Sequence, residues 1–513
     1  MDKNFYITTP IYYPSAKPHM GHAYSSIVAD FFARFKRIDG FDVNFLTGTD
    51  EHGLKIQRAA EKEGLDTLKF CNEISKTFRD LSKTLNLTNT DFIRTTESRH
   101  KKSVQSLWNE LKKNDDIYLS KYSGWYSVSD EAFYAEDEIE EINGKKFAKS
   151  SNSTVEWVDE ESYFFKLSKW EKPLLDYYKK NPNFILPLSR KNEVISFVKN
   201  GLKDLSISRK SFSWGIPVPD NKDHVIYVWL DALTNYISAL NYPDTKNEMY
   251  KKFWPASVHL IGKDILRFHA VYWPAFLLAA NLPLPKKIYG HGWILSGEEK
   301  MSKSKGNILD PLEIINQYGL DPLRYYLIKE VSFGNDGNIS QERLIDCINS
   351  DLANNFGNLC QRVTAFAIKN CEGKIPKKIN FQNDDLKILD KFKDNLDLIR
   401  DKIDEQDLNF YIDFIINTLF ETNKYFNDQE PWKKKNDILR LNTIVYTTLE
   451  IVRKISFMLY PIIPESSIKA LKIFSINEKN IKFSSLENHN YLKGNDKIEK
   501  IDILFKKIEK NYD

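Results

Sequence analysis

Pro18-His19-Met20-Gly21-His22 follows a short apolar segment, Phe5-Tyr6-Ile7-Thr8, and opens a run from Ala23 to Arg37. The apolar residues of that run, Ile27, Val28, Phe31, Phe32 and Phe35, recur at helical spacing. The order is therefore strand, loop, helix start, with both histidines at the helix N-terminus. Amide N–H groups at a helix start have no partner within the helix and carry partial positive charge, so they attract phosphate. Gly21 adds no side chain and lets a ligand approach the backbone. Two imidazoles can donate hydrogen bonds to phosphate oxygens where charge develops. Taken alone, a His-x-x-His pair is equally a structural pair or half of a metal site.

The alternation continues outward. Val43-Asn44-Phe45-Leu46-Thr47 predicts a second strand, followed by Gly48-Thr49-Asp50-Glu51-His52-Gly53 and a helix over Leu54 to Glu63. Asp91-Phe92-Ile93 predicts a third strand, before a helix near Ser98 to Lys113. Strands alternating with helices predict an α/β fold with a parallel sheet and ligands at the carboxyl ends of its strands. His19, His22 and Asp50 all follow predicted strands. Asp50 reads either as a helix N-cap or as the acceptor of a substrate ammonium group.

Composition sets the bounds. The 513 residues suffice for about three domains, and 42% hydrophobic with 13% aromatic residues can bury sizeable cores. Met1-Asp2-Lys3-Asn4 leads straight into a strand-like segment, so no signal peptide is expected. The best apolar run, Ala270 to Leu282, is short and broken by Pro274, so no membrane span is expected. Cys71, Cys347, Cys360 and Cys371 lack paired spacing, which fits a reducing cytoplasm. The net charge is +3, from 74 basic and 71 acidic residues, which argues neither for nor against nucleic acid; any RNA contact must come from local patches.

A second stretch, Lys300-Met301-Ser302-Lys303-Ser304, lies between Gly297 and Gly306 in a loop-like context. Two lysines with small hydroxyls between them suit a polyphosphate whose charge rises during reaction. Alone, the stretch reads more readily as a solvated lysine loop. Together and in this order, the two stretches resemble the paired signature motifs of class I aminoacyl-tRNA synthetases. The residues around them resemble the methionyl branch of that family over essentially the whole chain. The resemblance implies a Rossmann-like parallel-sheet catalytic domain, split by a connective insertion and followed by an all-α anticodon-binding bundle. In those terms residues 1–114 and 226–299 are the catalytic halves and 115–225 the insertion. Residues 300–350 are the lysine loop with a linker to the tRNA stem, and 351–513 the anticodon domain.

The insertion is rich in aromatics and charge. Many methionyl enzymes carry a zinc knuckle of Cys-x-x-Cys pairs there, whereas this chain offers Ser127 and Asp130. No cysteine lies between Cys71 and Cys347, so no structural zinc is expected. Val155, Trp157 and Phe164 are expected to form a small core in its place. Beyond the insertion, Val225 to Asp231 predicts a buried strand leading into a helix with Tyr236. Ser257 to Ile261 predicts another, before Gly262-Lys263-Asp264 and a helix that carries His269 and Trp273 on one face. As residues alone, Trp229, Tyr236 and Trp273 read as core aromatics and His269 as a satisfied core histidine. The resemblance makes Ile11, Tyr13, Asp50, Trp229, Leu233, Tyr236, His269 and Trp273 a methionine pocket. Aromatic walls suit a thioether, and a tyrosine hydroxyl and a histidine N–H can donate to its sulfur. It also places Gly262 and Asp264 on ribose, the backbone of Ile294 on adenine, and His19, Gly21, His22 and Lys303 on ATP.

After Gly306 helices are expected near 351–370, 385–404, 406–426, 436–459 and 499–510. Asn358 and Arg362 fall one turn apart, and Pro431-Trp432 lies near a helix start. As residues alone, Trp432 is a packing anchor and Arg362 a surface cation or salt-bridge partner. The resemblance assigns Asn358, Arg362 and Trp432 to the anticodon, by base-edge hydrogen bonds and stacking.

The resemblance further implies ATP-dependent activation of L-methionine to methionyl-adenylate, then transfer to initiator and elongator tRNA(Met). His19, His22, Lys300 and Lys303 would be the catalytic contacts, Asp50 the ammonium acceptor, and Mg2+ would travel with ATP. A cytoplasmic monomer without a dedicated metal site is expected. Three alternatives stand beside this: a class I synthetase for another amino acid, a non-catalytic tRNA-binding relative, and a metal-dependent hydrolase using His19, His22, Asp50 and His52.

Overall fold

Strand β1 (Asn4–Tyr12) is buried along almost its whole length, as a central strand covered on both faces must be. The chain is seen in a computed structural model that describes residues 3–15, 17–128, 132–296, 299–300 and 310–509. β1 lies within a six-stranded sheet with β2 (Asp42–Thr49), β3 (Asp91–Arg94), β4 (Ile185–Leu186), β5 (Val258–Gly262) and β6 (Ile288–His291). The order is β3-β2-β1-β5-β6-β4. The pairs β1–β5, β5–β6, β6–β4 and β2–β3 are parallel, with Thr8 opposite His259. Strand order reverses between β1 and β5, and at such a point the carboxyl ends of an open α/β sheet leave a crevice. Helix α1 (Met20–Ile38) starts at that end of β1, earlier than its apolar spacing alone indicates.

The sheet belongs to one compact unit, Asp2–Ala29 with Val43–His291. In the same unit a long antiparallel hairpin, Ile117–Ser127 with Glu156–Phe165, is flanked by Ala132–Tyr134 and Leu205–Ser206. Tyr134, Ala148 and Val155 form a small core there. Trp157, expected inside, is 53% exposed; its ring packs edge-on to Trp125 directly across the hairpin, at 5.1 Å. That cross-strand contact holds the ring without burying it. The serine hydroxyls at 127, 151 and 153 bond in a chain, Ser127 to Ser153 at 2.9 Å and Ser151 to Ser153 at 2.7 Å. Asp130 lies outside the described residues. The expected strand over Val225 to Asp231 ends at Ile226, and α2 (Val228–Leu233) carries Trp229, Asp231 and Leu233. Its β-rich composition yields to the buried contacts of Asp231 with His52 and His100.

The second unit contains Asp30–Asp42 and Gly292–Asp513. Ile294–Ser296 pairs antiparallel with Glu299–Lys300 and parallel with Gly337–Asn338. Helices α3 (Asn358–Asn370), α4 (Asn383–Asp404), α5 (Leu408–Asp428), α6 (Ile438–Leu459) and α7 (Pro464–Leu471) follow. The expected last helix, 499–510, does not form over its described part, since the chain from Glu499 to Glu509 contains no helical turn. The backbone there bonds to a side chain instead. Asn349 donates to the Ile508 carbonyl and accepts from its N–H, both at 2.8 Å.

Phe31 and Phe35 meet Tyr411 edge-on at 5.3 and 5.6 Å. Asp30, fully buried, accepts from Arg34 and from Arg324, both at 2.7 Å. Arg324 also donates to the carbonyls of Pro461 and Ile462. Removing one partner of a buried pair leaves the other charge uncompensated. Asp30→Ala is therefore expected to destabilise the chain by about 3–5 kcal/mol, read as a lowered Cm in denaturant unfolding.

Candidate active site

His19 caps α1. Its carbonyl accepts from His22 N at 3.0 Å and from Ala23 N at 3.2 Å. Its own Nδ1 accepts from Gly21 N at 3.1 Å, and His22 Nδ1 accepts from His19 N at 3.1 Å. A backbone N–H only donates, so both Nδ1 atoms are acceptors and each neutral ring carries its proton on Nε2. Desolvation, with the neighbouring His19, pushes His22 well below the usual histidine range. The Gly21 amide is thus engaged by a ring rather than open to phosphate. What the motif offers is a pair of neutral Nε2–H donors, with ring centroids 3.8 Å apart. Gly21 is fixed by the same packing: a Cβ there would stand 3.0 Å from His19 Cε1.

Ser25, one turn further along α1, bonds to His291 Nε2 at 2.8 Å. His291 ends β6, and Gly262 ends β5. A Cβ on Gly262 would meet Asp264 Oδ1 at 2.6 Å and His291 Cε1 at 3.8 Å. The histidine motif, Gly262 and Asp264 are thereby brought to neighbouring strand ends. His291 escapes sequence reasoning, although it ends an apolar stretch, Ile288-Tyr289-Gly290, where the strand-end rule looks for ligand contacts.

β2 delivers Asp50, which is 2% exposed and whose N–H donates to the Tyr12 carbonyl at 2.9 Å. The N-cap of the following helix is Gly53, so the capping reading of Asp50 does not hold. The two residues after Asp50 are locked. The Glu51 carboxylate accepts from Arg94 Nε at 2.6 Å and Nη2 at 2.9 Å, and its carbonyl accepts from Trp214 Nε1 at 2.6 Å. His52 Nδ1 lies 2.6 Å from Asp231 Oδ2, and His100 Nε2 lies 2.7 Å from Asp231 Oδ1. Burial works to raise the Asp231 carboxyl, but His52 and His100 hold it at about 2. His100 and Asp231 carry no sequence motif of their own; only the fold brings them together.

On α2, Trp229 stacks on Phe268 at 3.6 Å, 12° from parallel. Tyr236 stacks on His259 at 4.1 Å, and its hydroxyl lies 2.7 Å from His269 Nε2. His269 Nδ1 is 3.0 Å from the Ile265 carbonyl, which can only accept. Nδ1 therefore holds the proton, and Nε2 accepts from Tyr236. The tyrosine hydroxyl and histidine N–H expected to point at sulfur are spent on these bonds. Trp273 lies 6.1 Å from the Tyr236 ring. The turn between His269 and Trp273 is a π-helix, Phe268–Tyr272, rather than regular α-helix. Leu233, Ile11 and Tyr13 pack against the same core. Among the described residues no group of three or more His, Cys, Asp or Glu could hold a metal ion. His52, needed by the metal-hydrolase alternative, is paired with Asp231.

In the second unit Ile294 is buried in its short strand, and Lys300 ends Glu299–Lys300; Lys303 lies outside the described residues. Arg362 donates to Asn427 Oδ1 at 2.6 Å and covers the Phe426 ring at 4.9 Å. That acceptor is an amide, not a carboxylate. Trp432 meets Phe426 edge-on at 6.2 Å and is 41% exposed, too open for a packing anchor alone. Asn358 lies one turn before Arg362 on α3.

Desolvation lowers His269 to about 4, whereas the unfolded chain binds that proton near 6.5. The unfolded state gains the proton first, so this contribution is complete above about pH 6.5 and is lost as pH falls toward 4. Between those values the Tm of the wild type is expected to fall more steeply than that of His269→Gln; parallel curves would show that His269 stays protonated when folded.

The description "tRNA synthetases class I (M)" matches residues 5–364, and "Anticodon binding domain of methionyl tRNA ligase" matches 375–512. The methionine--tRNA ligase of Brucella suis biovar 1 is 50% identical over 476 residues, 92% of each chain. That of Rickettsia felis is 49% identical over 516 residues, 99% of each chain. Mycobacterium tuberculosis methionyl-tRNA synthetase in complex with methionyl-adenylate superposes with a TM-score of 0.96 at 43% identity, covering 98% of this chain and 99% of that one. Its apo form gives a TM-score of 0.90 at 40% identity, covering 100% and 99%. With both signature stretches present in the sequence and both halves of the chain matched, the protein belongs to the methionyl-tRNA synthetases of class I.

Proposed function

We propose that the methionine--tRNA ligase reaction divides among the residues of this chain as set by their chemistry. A methionine carboxylate oxygen attacks the α-phosphorus of ATP. The new O–P bond forms as the bond to the bridging oxygen breaks, and pyrophosphate leaves with the electron pair. The protein's part is positioning and charge stabilisation. The observation that carries the reading is the His19–His22 pair, whose Nδ1 atoms accept backbone N–H groups and leave Nε2–H on each neutral ring. These donors serve phosphate oxygens as charge builds. Lys300 and Lys303 hold the departing pyrophosphate, with Mg2+ entering as part of the ATP complex.

Asp50 receives the methionine ammonium. Ile11, Tyr13, Trp229, Leu233, Tyr236, His269 and Trp273 enclose its side chain, the Tyr236–His269 bond fixing the wall rather than supplying a proton to sulfur. Among the described residues the buried indole N–H groups of Trp229 and Trp273 have no hydrogen-bond partner, which favours a ligand acceptor there. Gly262 and Asp264 take the ribose, the Ile294 backbone the adenine, and Gly21 keeps His19 in register. Asn358, Arg362 and Trp432 read the anticodon of initiator and elongator tRNA(Met). The four cysteines are all free thiols, which supports a cytoplasmic site of action; the working form is a monomer.

Two outcomes test this reading. Lys303→Ala is expected to slow adenylate formation by roughly 10²–10³, the cost of removing one donor to developing charge, with little change in methionine binding. Equal losses in both would remove Lys303 from this role. Trp432→Ala is expected to lower kcat/KM for tRNA(Met) charging by roughly 5- to 150-fold, the range for one stacked base, while tRNA-free pyrophosphate exchange is unchanged. Charging indifferent to both Trp432 and the CAU anticodon would overturn the anticodon assignment.

A further inference from the structure

The C-terminal tail forms one wall of a cavity of about 310 Å3 against the helix that carries Asn358. Asn354, Asn358 and Gln361 contribute amides from the helical side, and Phe505, Lys506 and Lys507 come from the tail. Phe505 is buried as the floor, while Lys506 and Lys507 are exposed at the rim. Two features hold the tail there. The Asn349 amide grips Ile508 by both its N–H and its carbonyl, at 2.8 Å each. Phe505 also packs beside Gly357, where an added Cβ would be in ordinary van der Waals contact with Phe505 Cδ2 at 3.7 Å.

The volume falls at the low end of the roughly 300–1,000 Å3 typical of small-ligand sites, room for about one nucleotide. Side-chain amides can bond both donors and acceptors on a base edge. Lysine ammonium groups at the rim suit a phosphate. Asn358, which lines the cavity, precedes Arg362 by one turn on α3. No sequence motif marks this tail.

We propose that the cavity is a further nucleotide subsite. It takes one unstacked nucleotide of the tRNA anticodon loop, flanking those read at Arg362 and Trp432, with Lys506 and Lys507 on its phosphate. The inference rests on the anticodon reading. It makes the tail a part of the RNA-binding face rather than a packing strap.

The test is tRNA(Met) binding by the full chain, measured as Kd against salt concentration. Lys506→Ala/Lys507→Ala is expected to raise Kd roughly tenfold at low salt. It should also flatten the slope of log Kd against log salt by about 0.7, the single-strand contribution of the one phosphate no longer neutralised. Lys500→Ala, on the same tail but off the cavity, should leave both unchanged. A double variant with wild-type Kd and slope would overturn the proposal, as would an equal effect from Lys500→Ala, which would mean general positive charge. If Trp432→Ala also leaves Kd unchanged, the anticodon reading itself fails; if Trp432→Ala weakens binding and the tail variant does not, only the subsite fails.

Discussion

One buried carboxylate, Asp231, fixes the ligand end of the sheet-bearing unit. Moving a carboxylate out of water costs several kcal/mol unless its oxygens are fully bonded. Here one oxygen takes His52 and the other His100, both buried. The arrangement joins three elements: the loop after β2, the helix Ser98–Lys113 and α2. Asp50 lies two residues before His52, and Trp229 two residues before Asp231. The spacing between the proposed ammonium acceptor and the proposed aromatic wall is therefore set by a bond neither residue makes. Glu51, held by Arg94 and Trp214, removes the remaining freedom of that loop.

Polar groups elsewhere in the unit follow the same rule of mutual satisfaction. His19 and His22 cap their own helix, Tyr236 donates to His269, and Thr8 bonds His259 at 2.8 Å. Burial keeps His22, His259 and His269 below the usual histidine range. These rings are consequently neutral near pH 7, and their tautomers are set by backbone or hydroxyl partners. A neutral donor with a fixed tautomer needs no reorganisation when charge appears opposite it, which is the condition for electrostatic preorganisation.

The sheet is legible in the sequence because its strands are apolar and its helices periodic, and both signals are local. The histidine and lysine stretches point to phosphate chemistry for the same reason. Trp229 and Asp231 fall on an expected strand because Val225-Ile226-Tyr227-Val228 has β composition, and what makes α2 a helix is contact with residues far away in sequence. The tail after Glu499 has helix-like apolar spacing, yet Asn349 captures its backbone from 159 positions away. Trp157 suits a core by its type alone, and its cross-strand partner keeps it at the surface. His100 and His291 carry no motif; each acquires a role only from what the fold sets beside it. The donors expected to face sulfur are the right residue types, but their protons are committed to Ile265 and to each other, which composition cannot reveal.

The central claim is that the histidine pair and the aromatic pocket together activate one amino acid. The most direct measurement is amino-acid-dependent exchange of labelled pyrophosphate into ATP, with each of the twenty amino acids in turn and no tRNA. The account predicts exchange with methionine and none of comparable rate with the other nineteen. Exchange driven by a different amino acid would leave the phosphate chemistry standing and contradict the pocket; no exchange with any of them would contradict both.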